Sequence, residues 1–281
     1  MKTAQICPIS KLDRILLATD RSDFSEGAVR EAIHLSTTCT SRLYVMSVLE
    51  TNPEYETIGV SAYHKEEDEA RKYLEAIVSR ATGEGIHSCE AFLHYGNEPY
   101  QRIVEAAVER NADMIIIGRR GRSGVMKVLM GQTAVKVIGH APCTVLVVPR
   151  AARMECRNIL IATDGSGHSA AAAGEAIGIA KRCASNLLVV SSAYSERDAD
   201  EAKANVHAVT EAAKKEGVAV EALTPIGRSH EVIVETAGGR GVDLIVMGAY
   251  WKTGLKKLLM GSSTEKVIGH TSCAVMVVRA R

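Results

Sequence analysis

The chain has 281 residues, about twice the usual size of one domain, so one large domain or two small ones are expected. Apolar residues make up 46% and charged residues 24%, which excludes a disordered polymer. Lys and Arg total 34 against 33 Asp and Glu, and a net charge of +1 exerts no general pull on nucleic acid or anionic lipid. Any recognition of phosphate must therefore be local.

The opening MKTAQICPISKLDR has no apolar signal core, and no apolar run approaches the roughly 20 residues of a membrane span, so a soluble, cytoplasmic protein is expected, with no membrane partner. The run at 15–18 is short and continuously apolar, as a strand buried on both faces is. Asp23 with Glu26 resembles a capping box that opens a helix through Ala28, Val29, Ala32, Ile33 and Leu35. A strand at 43–49 follows, then a loop at 51–63 containing Pro53 and Gly59, and a solvated helix at 65–82. Next come a strand at 90–94, a helix from Pro99 through Arg110, a strand at 114–117, a glycine-rich loop, a helix at 132–138 and a strand at 144–148.

The same order then returns. Residues 110–149 align without a gap on 240–279 with about 18 of 40 positions identical, and the stretch from Asp13 aligns with that from Arg157. The second copy has strands at 159–162, 187–191, 219–223, 244–247 and 274–278, and helices at 169–183, 199–215, 231–238 and 262–268. The expected fold class is therefore α/β, with two tandem doubly wound, Rossmann-like domains at 1–152 and 153–281, each with a five-stranded parallel sheet. A brief linker near 150–155 implies that the halves pack together.

Ligands of such sheets bind at the carboxyl edge, where the chain crosses sides between strands one and four. Asp20 and Asp164 follow the first strands, Ser47-Val48 and Ser191-Ser192 the second, and Gly118 and Gly248 the fourth. In Gly118-Arg119-Arg120-Gly121-Arg122-Ser123-Gly124, glycines permit positive φ and close approach of an anion, and Gly131 opens a helix whose first N–H groups face it. Arg119, Arg120, Arg122 and Lys127 add local positive charge. The competing structural readings are glycines needed only for the turn, and Asp20 and Asp164 as helix caps.

Seven Cys, with no C-x-x-C and no paired Cys/His spacing, argue against a disulfide framework and a zinc site. Cys143 and Cys273, like Cys39 and Cys183, are repeat-equivalent and are expected to pack as small apolar side chains. His140 and His270 precede the last strands and are expected to serve helix ends rather than a metal. The stretch 165–170 mimics a dinucleotide fingerprint, but Asp164 before it and the lack of an acid after the second strand oppose that reading. No P-loop, nucleophile elbow or H-E-x-x-H pair occurs, so no catalytic residue or metal ligand is assigned and an efficient enzyme is not indicated.

Gly118-x-x-Gly121-x9-Gly131, together with Ala-Thr-Asp closing the first strand and VLVVP as the last, resembles the universal stress protein family across both halves. That resemblance implies an adenine-nucleotide-binding α/β fold, akin to the adenine nucleotide alpha hydrolases, whose copies pair through their last strands. It implies a site for ATP, with Mg²⁺ as counter-charge, in which Ala18, Asp20 and Val48 lie by the adenosine and Gly118, Arg119, Gly121, Gly131, Gln132 and Thr133 by the phosphates. The second-half counterparts are Asp164, Ser192, Gly248, Gly261, Ser262 and Ser263. Gln132 stands where the family has Ser or Thr, and Trp251 where it has the second glycine, so unequal halves are expected.

The implied role is a stress-response or regulatory binding module, with at most slow ATP hydrolysis, an intrachain pseudo-dimer and a protein partner of unknown identity. A homodimer of chains is also compatible with this reading. The alternatives are a universal stress protein that binds no nucleotide and works through dimerisation and protein contacts, and an ATP-using enzyme of a related α/β class.

Overall fold

Each apolar run of the two repeats becomes a strand, and each amphipathic stretch covers one face of the resulting sheet. The computed structural model describes residues 6–50, 60–121, 130–249 and 261–280. Among them the first half comprises β1 Arg14–Ala18, α1 Glu26–Cys39, β2 Arg42–Leu49, α2 Val60–Gly83, β3 Cys89–Tyr95, α3 Pro99–Glu109, β4 Met114–Gly118, α4 Gln132–His140 and β5 Thr144–Val148. The second half comprises β6 Asn158–Ala162, α5 Gly167–Cys183, β7 Asn186–Val190, α6 Ala199–Lys215, β8 Val220–Leu223, α7 Ser229–Gly239, β9 Leu244–Gly248, α8 Ser262–His270 and β10 Ala274–Val278.

The ten strands form one sheet in the order β3-β2-β1-β4-β5-β10-β9-β6-β7-β8. Pairing is parallel within each half, and the halves meet where β5 and β10 run antiparallel, with Met276 opposite Leu146. Alternation along the strands sends Ile15, Leu17 and Ile116 to the face covered by α1, α2, α5 and α6, and Leu16, Ile115 and Ile117 to the face covered by α3, α4, α7 and α8. Each such side chain removed from water contributes about 1.5–3 kcal/mol before chain entropy is set against it.

The seam is also crossed by hydrogen bonds. Arg279 Nη1 donates to Ala141 O at the end of α4, and Arg119 Nη1 donates to Thr271 O at the end of α8. No helix among the described residues is long and apolar enough to cross a membrane.

Three local expectations are corrected. The segment expected to loop until 63 is helical from Val60, its remainder lying outside the described residues. Asp23 starts a 3-10 turn, Asp23–Ser25, and α1 begins without a side-chain cap. Cys39 is not a free apolar packer, because it forms a disulfide with Cys7. That bond joins the end of α1 to the segment before β1, two points brought together by the sheet and not by any cysteine spacing in the repeat.

Candidate functional site

Parallel strands direct their carboxyl ends to one edge, and at that edge the first half opens a cavity of about 470 Å³. It is lined by Ala18, Asp20, Val48, Gly118, Arg119, Gly121, Gly131, Gln132 and Thr133, so all nine first-half residues expected from the sequence surround one space. Ser25, Met46, Glu50, Glu66, Pro99 and Ile103 line it too and were not anticipated. Glu66 lies on a helix that reads as solvated surface, and its place at the cavity depends on how that helix crosses the sheet.

One wall is the turn after β1. Asp20 Oδ1 accepts from Ser22 N at 3.2 Å and from Ser22 Oγ at 2.7 Å, so the carboxylate organises its own turn as well as lining the cavity. Arg21 takes a left-handed conformation, φ 66°, and its buried guanidinium pairs with Glu66 at 2.9 Å. Thr19 Oγ1 and Ser25 Oγ, 2.8 Å apart, tie this turn to the start of α1.

The opposite wall is the glycine loop and α4. Gly118, Gly121 and Gly131 do not adopt positive φ, contrary to expectation, and what glycine supplies at the first two is room. A Cβ at Gly121 would lie 3.0 Å from Asp20 Oδ2, and one at Gly118 would lie 3.2 Å from Phe24 O. Gly131 is the N-cap of α4 and carries no capping side chain; its N–H donates to Arg119 O at 2.9 Å. The first turn of α4 is thereby left to present its N–H groups at the cavity, as anion sites at helix starts do.

Among the described residues lining this space, Ser47 Oγ at the end of β2 and Arg120 Nε in the glycine loop are buried without a hydrogen-bond partner. Leaving such groups unpaired costs about 1–3 kcal/mol each, a penalty that a polar ligand would relieve. Arg119 is different: its guanidinium reaches out of the half to the end of α8, with its basicity lowered by burial and by the neighbouring charge of Arg120. Arg122 and Lys127 lie outside the described residues.

In the second half the serines that follow the second strand find partners within the chain. Ser191 Oγ, the counterpart of Ser47, accepts from Asn205 Nδ2 at 3.4 Å, and Ser192 Oγ donates to Ser229 Oγ at 2.7 Å. Asn205 also sits over Gly165, φ 75°, where a Cβ would lie 2.3 Å from its Oδ1. Burial works to raise the Asp164 carboxyl, but hydrogen bonds from Ser166 and Ser169 outweigh it and hold it below the usual range. Ser166 caps α5 by accepting from Ser169 N at 3.2 Å.

Gly248 packs against the start of α5, where a Cβ would meet His168 C at 2.5 Å. Gly261 is the N-cap of α8, with Ser262 and Ser263 as its first residues. Tyr250 and Trp251 lie outside the described residues. His140 and His270 each place Nδ1 on the carbonyl four residues back, at 2.8 and 2.7 Å, which ties them to the last turns of α4 and α8. No group of three His, Cys, Asp or Glu able to hold a metal occurs among the described residues.

Comparison with known proteins agrees with this architecture. A model of the universal stress protein family matches the chain twice, over residues 11–149 and 155–279. A universal stress protein of Synechocystis is 32% identical over 150 residues, 48% of this chain and 96% of that protein. One from Methanocaldococcus jannaschii is 29% identical over 144 residues, 49% of this chain and 82% of its own length. Among solved structures, a universal stress protein from Archaeoglobus fulgidus superposes with a TM-score of 0.77 at 21% identity, over 95% of this chain and 98% of that one, which is a likeness of fold. A universal stress protein solved in complex with cAMP covers 50% of this chain and all of its own, at 24% identity and a TM-score of 0.39.

Proposed function

The chain belongs to the universal stress protein family, and from that premise we propose that its first half binds an adenine nucleotide, chiefly ATP, as a stress-response or regulatory module. The observation that supports this most is the first-half cavity, where a helix start and two unpartnered buried polar groups, Ser47 Oγ and Arg120 Nε, line one space. Arg120 and the N–H groups of Gln132 and Thr133 would hold phosphates. Val48, Ala18 and Met46 offer apolar surface for the base, and Asp20 and Ser47 polar groups for the sugar. Mg²⁺ would enter with the phosphates as counter-charge.

We assign the domains to 1–152 and 153–281 and set the protein in the cytoplasm, where adenine nucleotide is supplied. A second reading, that a half binds no nucleotide and serves pairing and protein contacts, is favoured for the second half by Asn205, which bonds Ser191, the equivalent of Ser47, and sits over Gly165. No general base or nucleophile is assigned, so the loaded state itself, read by a partner, would carry the signal.

The test is mass spectrometry of the denatured purified chain for co-purified nucleotide, followed by calorimetric titration with ATP. One site per chain is expected. No nucleotide and no heat would defeat the proposal, and two equal sites would defeat the assignment to the first half.

A further inference from the structure

Arg119 and Arg120 are neighbours in the glycine loop and point to different tasks. Arg120 Nε is buried at the cavity without a partner. Arg119 Nη1 instead donates to Thr271 O at 2.5 Å and lies 3.5 Å from Ile268 O, at the carboxyl end of α8. A cation there satisfies orphan carbonyls and opposes the negative end of the helix dipole. The backbone of the same residue holds the first half: its carbonyl accepts from Gly131 N at 2.9 Å, and its N–H donates to Val148 O at 3.3 Å. One residue thus ties the N-cap of α4 and the end of β5 to the last turn of a helix in the other half.

The contact is made in both directions, from positions that are not repeat-equivalent. Arg279, whose counterpart is Pro149, donates to Ala141 O at the end of α4; the counterpart of Arg119 is Ala249. Both α4 and α8 are therefore gripped at their carboxyl ends by the opposite half, while their starts face the two carboxyl edges. The same contact reached by two different arginines argues that the tie itself is used.

We propose that Arg119 is a positioning residue: it braces the phosphate loop of the first half on α8, so that the nucleotide site is complete only in the joined chain and its occupancy tightens the last turn of α8. This rests on the nucleotide reading above. The coupling is reciprocal, because whatever holds α8 in place also favours the loaded loop.

The test uses the full chain and its Arg119→Gln variant, with ATP and adenosine titrated over a series of salt concentrations. Loss of a charge-assisted bond that orders the loop is expected to weaken ATP about tenfold and adenosine less than about threefold. The steepness of the salt dependence should stay as in the parent, since no phosphate contact is removed. Cys273 is the reporter in the other half, buried two residues past Thr271 with its Sγ 3.0 Å from Thr271 Oγ1. ATP should slow alkylation of Cys273 in the parent chain and leave it unchanged in Arg119→Gln, while Arg119→Lys, which keeps a donor within reach, restores part of both effects.

Unchanged ATP affinity in Arg119→Gln, or a shallower salt dependence that marks a direct phosphate ligand, would overturn the inference and leave the site standing. So would Cys273 labelling that ignores ATP in the parent. Absence of ATP binding in the parent would remove the site and the inference together.

Discussion

At the end of β2 in the first half, Ser47 Oγ is buried without a partner; at the same place in the second half, Ser191 Oγ accepts from Asn205. Beside them, Arg21 in one half and Gly165 in the other hold the same left-handed turn, the first closed by Glu66 and the second by Asn205. Thr19 with Ser25 and Thr163 with Ser169 repeat one hydroxyl pair at 2.8 and 3.1 Å. Duplication has therefore preserved the frame while the edge has diverged: one copy leaves the serine hydroxyl facing a cavity, and the other satisfies its counterpart from its own helix. A shared fold does not carry a shared site, because the site depends on a few side chains that the frame tolerates in several forms.

The comparison is broken most directly at Gly121. Gly121→Leu places side-chain atoms where Asp20 Oδ2 already lies 3.0 Å from a Cβ, and should weaken ATP at least about a hundredfold in calorimetry while leaving the melting temperature little changed. Retained affinity would move the site to the second half.

A smaller effect with opposite signs in the two halves sharpens it. Ser47→Ala removes an unsatisfied buried hydroxyl, and should raise the stability of the ligand-free chain by up to about 1 kcal/mol while weakening ATP about tenfold. Ser191→Ala strands Asn205 and should lower stability by about 0.5–1.5 kcal/mol with no effect on ATP. Thermal melts with and without ATP read both, and equal shifts in the two variants would remove the distinction.

The smallest test concerns the cysteines that end α1 and α5. Cys39 is bonded to Cys7, whereas its counterpart Cys183 is a thiol lowered to about 7, chiefly by a hydrogen bond from Cys156 and further by Arg182, against burial. Thiolate forms as pH rises through that value, so alkylation of Cys183 should accelerate about tenfold from pH 6 to pH 8. Cys89 and Cys143, pushed by burial to about 11 and about 12, should stay unreactive over that range. A peptide map showing Cys183 as inert as these two would refute the contrast.

Much of this was legible in one dimension. Repeated apolar runs and glycine spacings identify two α/β copies, the strand ends and the glycine loop, because periodicity and turn chemistry act over a few residues, and the family resemblance adds Ala18, Gln132 and Thr133 to the residues that surround one cavity. The role of the glycines was legible only in part: spacing marks the loop, but whether glycine is wanted for positive φ or for room depends on what stands opposite, here Asp20 and Phe24. Glu66 and Asn205 carry no local signal at all, since each sits on a polar helix face until the helix is laid across the sheet.

By itself, then, the sequence determined the element order, the repeat, the burial pattern and the place of the glycine loop, all consequences of short-range steric and hydrophobic patterning. Tertiary structure alone decided that the Arg119 guanidinium reaches the other half while Arg120 Nε is buried at the cavity, that Cys7 meets Cys39, and that Asn205 meets Ser191 while Ser47 is left without a partner. These are contacts between residues far apart in the chain. Their energies depend on distances that exist only after ten strands have been set side by side.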